Sequence, residues 1–261
     1  IKHYLIDEFS PQEDFNVVKF KEYAEKYMKE IYEKSKIPII VGGTGFYIQS
    51  VLYGIDFEKN DEDTSNHISY RKELENLAQE KGPLYLHSML QEIDPVSAQA
   101  IHSNNIKRVI RALEYYKQTG NKISVHNKEQ RQKDSPYQFC YFVLNNKREV
   151  LYERINKRVD DMMEQGLIEE VKHLLDMGCK KDMVSMQGLG YKEIIAYLEG
   201  ECTLEEAVYI LKRDTRHFAK RQLTWFKREK DVIWVNKDQY NDHEEKILEA
   251  IIKEIQLKSL I

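Results

Sequence analysis

Cysteine is scarce: Cys140, Cys179 and Cys202 stand far apart and form no C-x-x-C pair. An odd, scattered set argues against a disulfide framework or a zinc site and fits a reducing, cytoplasmic setting. Long apolar runs are missing as well. Nothing approaches the ~18 consecutive apolar residues that span a bilayer, so no membrane partner is expected. The opening residues, Ile-Lys-His-Tyr-Leu-Ile-Asp, lack the basic stretch and apolar core of a signal peptide. An excess of positive charge is also absent, since Lys and Arg number 40 against 44 Asp and Glu, for a formal net charge of −4. General attraction to nucleic acid is therefore excluded, and any such binding must come from a local patch. No Gly-Lys dipeptide occurs, so these residues hold no Walker A loop.

What is present can build a core. The 261 residues are 41% apolar, enough for one large domain or a core with an inserted lobe. Apolar runs predict strands at 4–6, 37–41, 139–144 and 232–235. Between the first two, residues 15–34 carry Phe20, Tyr23, Tyr27 and Ile31 at helical spacing. Val41 runs into Gly42-Gly43-Thr44-Gly45 and then an amphipathic stretch. Strand, helix, strand, Gly turn and helix form the repeating unit of a parallel α/β sheet. The chain begins without Met inside what reads as a buried strand, so it is expected to start within a longer protein.

The pattern then changes. Residues 58–64 are acidic and polar, a predicted mobile loop, and from about 70 to 120 every periodic segment is helical. Residues 57–136 are read as a helical lobe inserted between core segments 1–56 and 137–261. The second core segment is predicted to hold a helix over 149–165, another ending near Gly178, a loop through 185–188, two further helices and an edge strand.

Several groups could carry chemistry. Glycines at 42, 43 and 45 suit close backbone approach to a ligand, with Thr44 at the carboxyl end of a strand. A turn whose Thr merely caps a helix is the plain alternative. Arg154 and Arg158 lie four apart on one helix, where like charges repel unless something rewards them. Asp161 is the ordinary partner and a diphosphate the sharper one. Lys107, Arg108 and Arg111 form a basic cluster that reads first as a solvated face. Residues 212–230 give the strongest signal. At 100° per residue Arg213, Arg216, His217, Lys220, Arg221, Thr224, Lys227 and Arg228 fall within an arc of about 140°. Phe218 and Trp225 flank that stripe, where a base could stack, although Trp225 is expected to lodge beneath it. A net-negative chain that concentrates cations in this way points to RNA or DNA.

Six segments together resemble the tRNA dimethylallyltransferases. They are His3-Tyr-Leu-Ile-Asp7, Pro38-Ile-Ile-Val-Gly-Gly-Thr-Gly-Phe-Tyr47, Asn105-Ile-Lys-Arg-Val-Ile-Arg-Ala-Leu-Glu114 and Arg154-Ile-Asn-Lys-Arg-Val-Asp160. Ser185-Met-Gln-Gly-Leu-Gly-Tyr-Lys-Glu193 and Ala219-Lys-Arg-Gln-Leu-Thr-Trp-Phe226 complete the set, in the family's order. The resemblance implies a P-loop kinase-like α/β core with a parallel sheet and an inserted all-helical lobe that grips the tRNA anticodon stem-loop. It implies a monomeric enzyme that transfers a dimethylallyl group from dimethylallyl diphosphate to N6 of the adenosine 3′ of the anticodon, with Mg2+. The tRNAs would be those reading codons that begin with U.

The same resemblance places Thr44 at the reacting centre and Arg158 on the diphosphate, where the spacing argument adds Arg154. It gives tRNA contacts to Thr44 and His3 and to Lys107, Arg108, Val109, Ile110 and Arg111. Gln187, Gly188, Leu189, Gly190, Tyr191 and Lys192 follow, then Ala219, Lys220, Arg221, Gln222, Leu223, Thr224, Trp225 and Phe226. No residue is assigned to a metal. The phosphate-binding loop and a general-base aspartate are implied upstream of residue 1. Gly188 departs from the bulkier residue usual in the family. The rival expectations are a prenyltransferase acting on free adenine nucleotides and a noncatalytic RNA-binding protein.

Overall fold

Helices dominate, and the sequence dictates where most of them begin and end. The computed structural model describes residues 1–57 and 64–258, so the loop predicted at 58–64 lies, except for Thr64, outside the described residues. The chain divides into two units, Ile1–Leu52 with Tyr137–Ile261, and Tyr53–Pro136. The first opens with α1 (Val17–Glu33) and α2 (Gly45–Leu52). The second holds α3 (Thr64–Lys81), α4 (Pro83–Ile93), α5 (Pro95–Ala100), α6 (Ile106–Thr119) and α7 (Ile123–Gln132). The first then resumes with β1 (Tyr141–Asn145), α8 (Arg148–Glu164), α9 (Leu167–Asp176), a 3-10 turn at Val184–Gln187 and α10 (Tyr191–Leu198). It continues with α11 (Leu204–Phe226), β2 (Val232–Asn236) and α12 (Glu244–Leu257).

In the first unit β1 and β2 run parallel, from Tyr141 opposite Val232 to Asn145 opposite Asn236. Helix α1 starts where the Asn16 side chain accepts hydrogen bonds from the N–H groups of Val18 (2.9 Å) and Lys19 (3.0 Å), which satisfies two donors the helix cannot. It buries Ala24 and Met28 beside Val51 of α2. Tyr23 and Tyr27 instead meet rings of the N-terminal segment, Phe9 at 4.9 Å and Tyr4 at 4.5 Å. Helices α8 to α11 share an apolar core built on Val159, Val171, Met186, Ile194 and Leu211. Helix α11 opens with a capping box, Glu206 N–H to Thr203 Oγ1 at 3.2 Å and Thr203 N–H to Glu206 Oε2 at 2.8 Å.

Two predicted strands are corrected. Residues 4–6 and 37–41 are not strands among the described residues. The second keeps a strand's alternation, with Ile40 packed inward while Ile37, Ile39 and Val41 are 54%, 83% and 90% exposed. An extended segment becomes a strand only with a ladder partner, and none is present among the described residues. The predicted loop at 185–188 is instead mostly the 3-10 turn, and α12 was not expected at all. The parallel sheet and the helical lobe agree with expectation.

In the second unit Leu74, Leu86, Leu90, Val109, Ile110 and Leu113 fill one core. Asp94, 1% exposed, ends α4, caps α5 and ties in α7. Its carboxylate accepts from Ser97 N–H (3.1 Å) and Oγ (2.7 Å) and from Ser124 N–H (3.0 Å) and Oγ (2.7 Å). Burial raises the Asp94 pKa, but those four donors outweigh it and the carboxyl sits below its ordinary value. Arg71 clamps Glu114 by donating from Nε and Nη2 to its two carboxylate oxygens, at 2.8 and 2.5 Å.

Candidate functional site

The glycine turn of the first unit is held by α11. Thr44 begins α2 through its carbonyl, which accepts from Tyr47 N–H (3.0 Å) and Ile48 N–H (3.3 Å). The Thr44 hydroxyl has no partner among the described residues, and the residue is exposed. Capping by the Thr side chain is therefore not what this residue does. On either side of it the backbone is gripped. Gln222 Nε2 donates to the Gly43 carbonyl at 2.8 Å, and a Cβ on Gly43 would overlap that amide. The edge of the Trp225 ring fills the space a Cβ on Gly45 would need, and Phe46 meets the same ring edge-on at 6.2 Å. Two of the turn's glycines are thus demanded by the approach of α11, and only Gly42 faces open space.

Helix α11 also packs on α8. Tyr152, Asn156 and Asp160 share one α8 face at i, i+4 spacing and receive Arg216 of the predicted basic stripe, together with Lys212 just before it. Lys212 pairs with Asp160 at 2.5 Å. Arg216 donates to Asn156 Oδ1 at 2.6 Å and lies 6.0 Å over the Tyr152 ring. Arg213 binds Asp214 at 2.8 Å and holds that carboxyl below the usual range. These cations are committed within the fold. Lys220, Arg221, Lys227 and Arg228 are exposed and unpaired with any acid among the described residues, Arg221 lying 5.7 Å over the exposed Phe218 ring. The stripe is therefore shorter than its charge pattern predicts, and Lys227 and Arg228 follow the helix rather than ride on it. The acceptors on α8 carried no signal in the charge pattern that revealed the stripe.

The two arginines of α8 have different fates. Arg154 Nη2 binds Asp242 at 3.1 Å, an acid also held by Asn146 Nδ2 at 2.9 Å. Next to this cluster, Asn145 Nδ2 donates to Asn236 Oδ1 at 3.0 Å. It therefore lies at the carboxyl ends of the parallel strands, where open α/β sheets receive ligands. Arg158, one turn on, is exposed and has no partner among the described residues. Asp161 does not pair with it, so the ordinary explanation for the Arg154/Arg158 spacing fails for Arg158.

Other predicted contact residues divide between surface and interior. Lys107, Arg108 and Arg111 are exposed and unpaired among the described residues, whereas Val109 and Ile110 are 0% and 3% exposed. Those two belong to the lobe core, on the face of α6 that packs on α3 and α4. In the segment 185–193, Gln187 donates to the Lys181 carbonyl, Tyr191 to Glu170, and Leu189 packs on the core. Burial and then Glu170 push the Tyr191 hydroxyl up to about 12. Gly190 is buried at φ +105°, a backbone position that needs glycine. Gly188 has φ −61° and room for a Cβ, so a bulkier residue would fit. Lys192 lies 3.4 Å from Glu193. On α11, Leu223 and Ala219 are half-buried and Phe226 is buried, while Thr224 bonds the Lys220 carbonyl at 2.9 Å. His3 is exposed and makes no hydrogen bond or ion pair among the described residues.

Among the described residues no three His, Cys, Asp or Glu side chains gather as a metal cage. No helix there is long and apolar enough to cross a membrane.

With that geometry in place, residues 1–229 match the family model described as IPP transferase. The chain is 62% identical, over all 261 residues and 82% of the relative, to a tRNA dimethylallyltransferase of Lachnoclostridium phytofermentans. It resembles the crystal structure of a tRNA isopentenylpyrophosphate transferase from Bacillus halodurans, with TM-score 0.68 and 42% identity over 99% of this chain and 80% of that one. A eukaryotic dimethylallyltransferase acting on tRNA superposes with TM-score 0.77 and 26% identity, over 98% of this chain and 65% of that one.

Proposed function

This chain belongs to the IPP transferase family, and we propose on that premise that it prenylates tRNA. The reaction is transfer of a dimethylallyl group from dimethylallyl diphosphate to N6 of the adenosine 3′ of the anticodon, in tRNAs reading codons that begin with U. What carries this reading is the 62% identity, over the whole chain, to a tRNA dimethylallyltransferase. The geometry supports it with a free hydroxyl and a free guanidinium in one unit.

An adenine N6 amine is a weak nucleophile because its lone pair is drawn into the ring. It must be oriented, relieved of a proton, and set against a diphosphate whose charge grows as it leaves. The Thr44 hydroxyl, unused by the fold, orients the amine by hydrogen bonding. Arg158 offers its fork to the diphosphate oxygens. Arg154 stands behind it in an ion pair with Asp242 that is half exposed and so weakly held. The exposed Lys220 and Arg221, with Lys107, Arg108 and Arg111 on the lobe, meet tRNA phosphates, and the flipped adenosine leaves the loop stack.

A phosphate-binding segment and a general-base aspartate, contributed by residues preceding Ile1, belong to this reading. Magnesium is proposed to accompany the diphosphate; the described residues alone do not build a cage for it. The enzyme is proposed to work in the cytoplasm as a monomer.

The test uses full-length protein, tRNA, dimethylallyl diphosphate and magnesium, with mass spectrometry of the digested tRNA. Isopentenyl-adenosine next to the anticodon is expected. Its absence with folded enzyme would reject the reading.

A further inference from the structure

Gln222 and Trp225 lie in the segment that the family resemblance gives to tRNA, yet both side chains are spent on the glycine turn. They are three residues apart on α11 and therefore share a face. Gln222 holds the Gly43 carbonyl at 2.8 Å, and Trp225 closes on Gly45. These are the two peptide neighbours of Thr44. The Trp225 Nε1 is buried and has no hydrogen-bond partner among the described residues, a cost a fold seldom leaves uncompensated. The ring is therefore placed for its shape, which leaves no space beside Gly45.

A run of three glycines around one threonine is the least constrained backbone a chain can offer. Within the turn the Thr44 carbonyl is tied to α2, but its hydroxyl is held by nothing among the described residues. We propose that Gln222 and Trp225 are positioning residues. Gripping the turn on both flanks of Thr44, they hold its hydroxyl in register with the reacting amine, and neither touches tRNA. The basic end of α11 and the turn are then one rigid piece, so a tRNA seated on Lys220 and Arg221 meets Thr44 at a fixed offset. This proposal rests on the reading of Thr44 as the group at the reacting centre.

The experiment measures kcat, tRNA affinity at several salt concentrations, and melting temperature for the full-length protein. Gln222→Leu keeps the volume and removes the donor to Gly43. It should lower kcat by roughly tenfold to a hundredfold, the scale of a small misplacement at a reacting group, with tRNA affinity and its salt dependence unchanged. Should that variant not fold, Gln222→Met serves in its place. Gly43→Ala alone should also lower kcat, because its methyl meets the Gln222 amide. Combined with Gln222→Ala it should cost less than the sum of the two single changes, since the methyl then has room.

A Gln222→Leu protein that loses tRNA affinity at unchanged kcat would mean that Gln222 contacts tRNA, and the proposal falls. Thr44→Val separates the two ideas. If it abolishes turnover while Gln222→Leu is fully active, the positioning role alone is wrong. If Thr44→Val is fully active, the reading of Thr44 fails and the proposal fails with it.

Discussion

Two helices, α6 of the lobe and α11 of the core unit, carry family-like segments in which cations are interleaved among apolar residues. They use the inward half of those segments differently. On α6, Val109 and Ile110 disappear into an apolar core. On α11, Gln222 and Trp225 reach a turn that is distant in sequence and clamp it. The outward halves agree, with Lys107, Arg108 and Arg111 on one and Lys220 and Arg221 on the other exposed and unpaired with any acid among the described residues. A matching motif therefore mixes exposed residues, open to a ligand, with residues that build the fold beneath them. Direction within the helix, rather than membership of the motif, separates them.

The largest effect should come from the lobe interior. Leu113→Ala removes a side chain only 1% exposed and should cost about 2–5 kcal/mol of stability, read by denaturant unfolding. It should leave the salt dependence of tRNA binding alone wherever the protein stays folded. A change in that dependence would mean α6 contacts tRNA with its buried face. Arg158→Ala comes next, with a barrier raised by about 2–4 kcal/mol through loss of one charge-assisted contact to the leaving diphosphate. A normal kcat with weakened tRNA binding would reassign Arg158 to the nucleic acid.

Asp94 separates lobe stability from chemistry by pH. Its carboxyl titrates below its ordinary value in the fold, so its contribution is present above the unfolded value near 3.8 and is lost as pH falls through the folded one. Asp94→Ala should cost about 1–3 kcal/mol at neutral pH by removing a helix cap and stranding two serine hydroxyls. The acid limb of the stability profile should then flatten. An unchanged acid limb would mean that other carboxylates govern it.

Much of this was legible in the sequence, and what was not has a physical reason. Periodicity located α1, α6 and α8 to within a few residues, because a buried stripe leaves a 3.6-residue signature. It also separated lobe from core. The segment 37–41 has strand composition and strand alternation, but a ladder depends on a neighbour that composition cannot supply. Arg216 has the charge and phase of a phosphate contact, but Asn156 and Tyr152, some sixty residues earlier, had already claimed it. The Gln222 contact with Gly43 spans 179 residues. Polar side chains that act over such separations leave no pattern on their own helix. Arg216→Ala should accordingly lower the melting temperature slightly and leave the salt dependence of binding unchanged.

The division between inward and outward residues is tested most directly by tRNA binding across a salt series with Lys220 and Arg221 both changed to alanine. Each phosphate contact removed should reduce the slope of log K against log salt by roughly 0.7–0.9, with the melting temperature unchanged. A slope equal to that of the unaltered protein would contradict the division and leave the exposed cations of α11 as a solvated face.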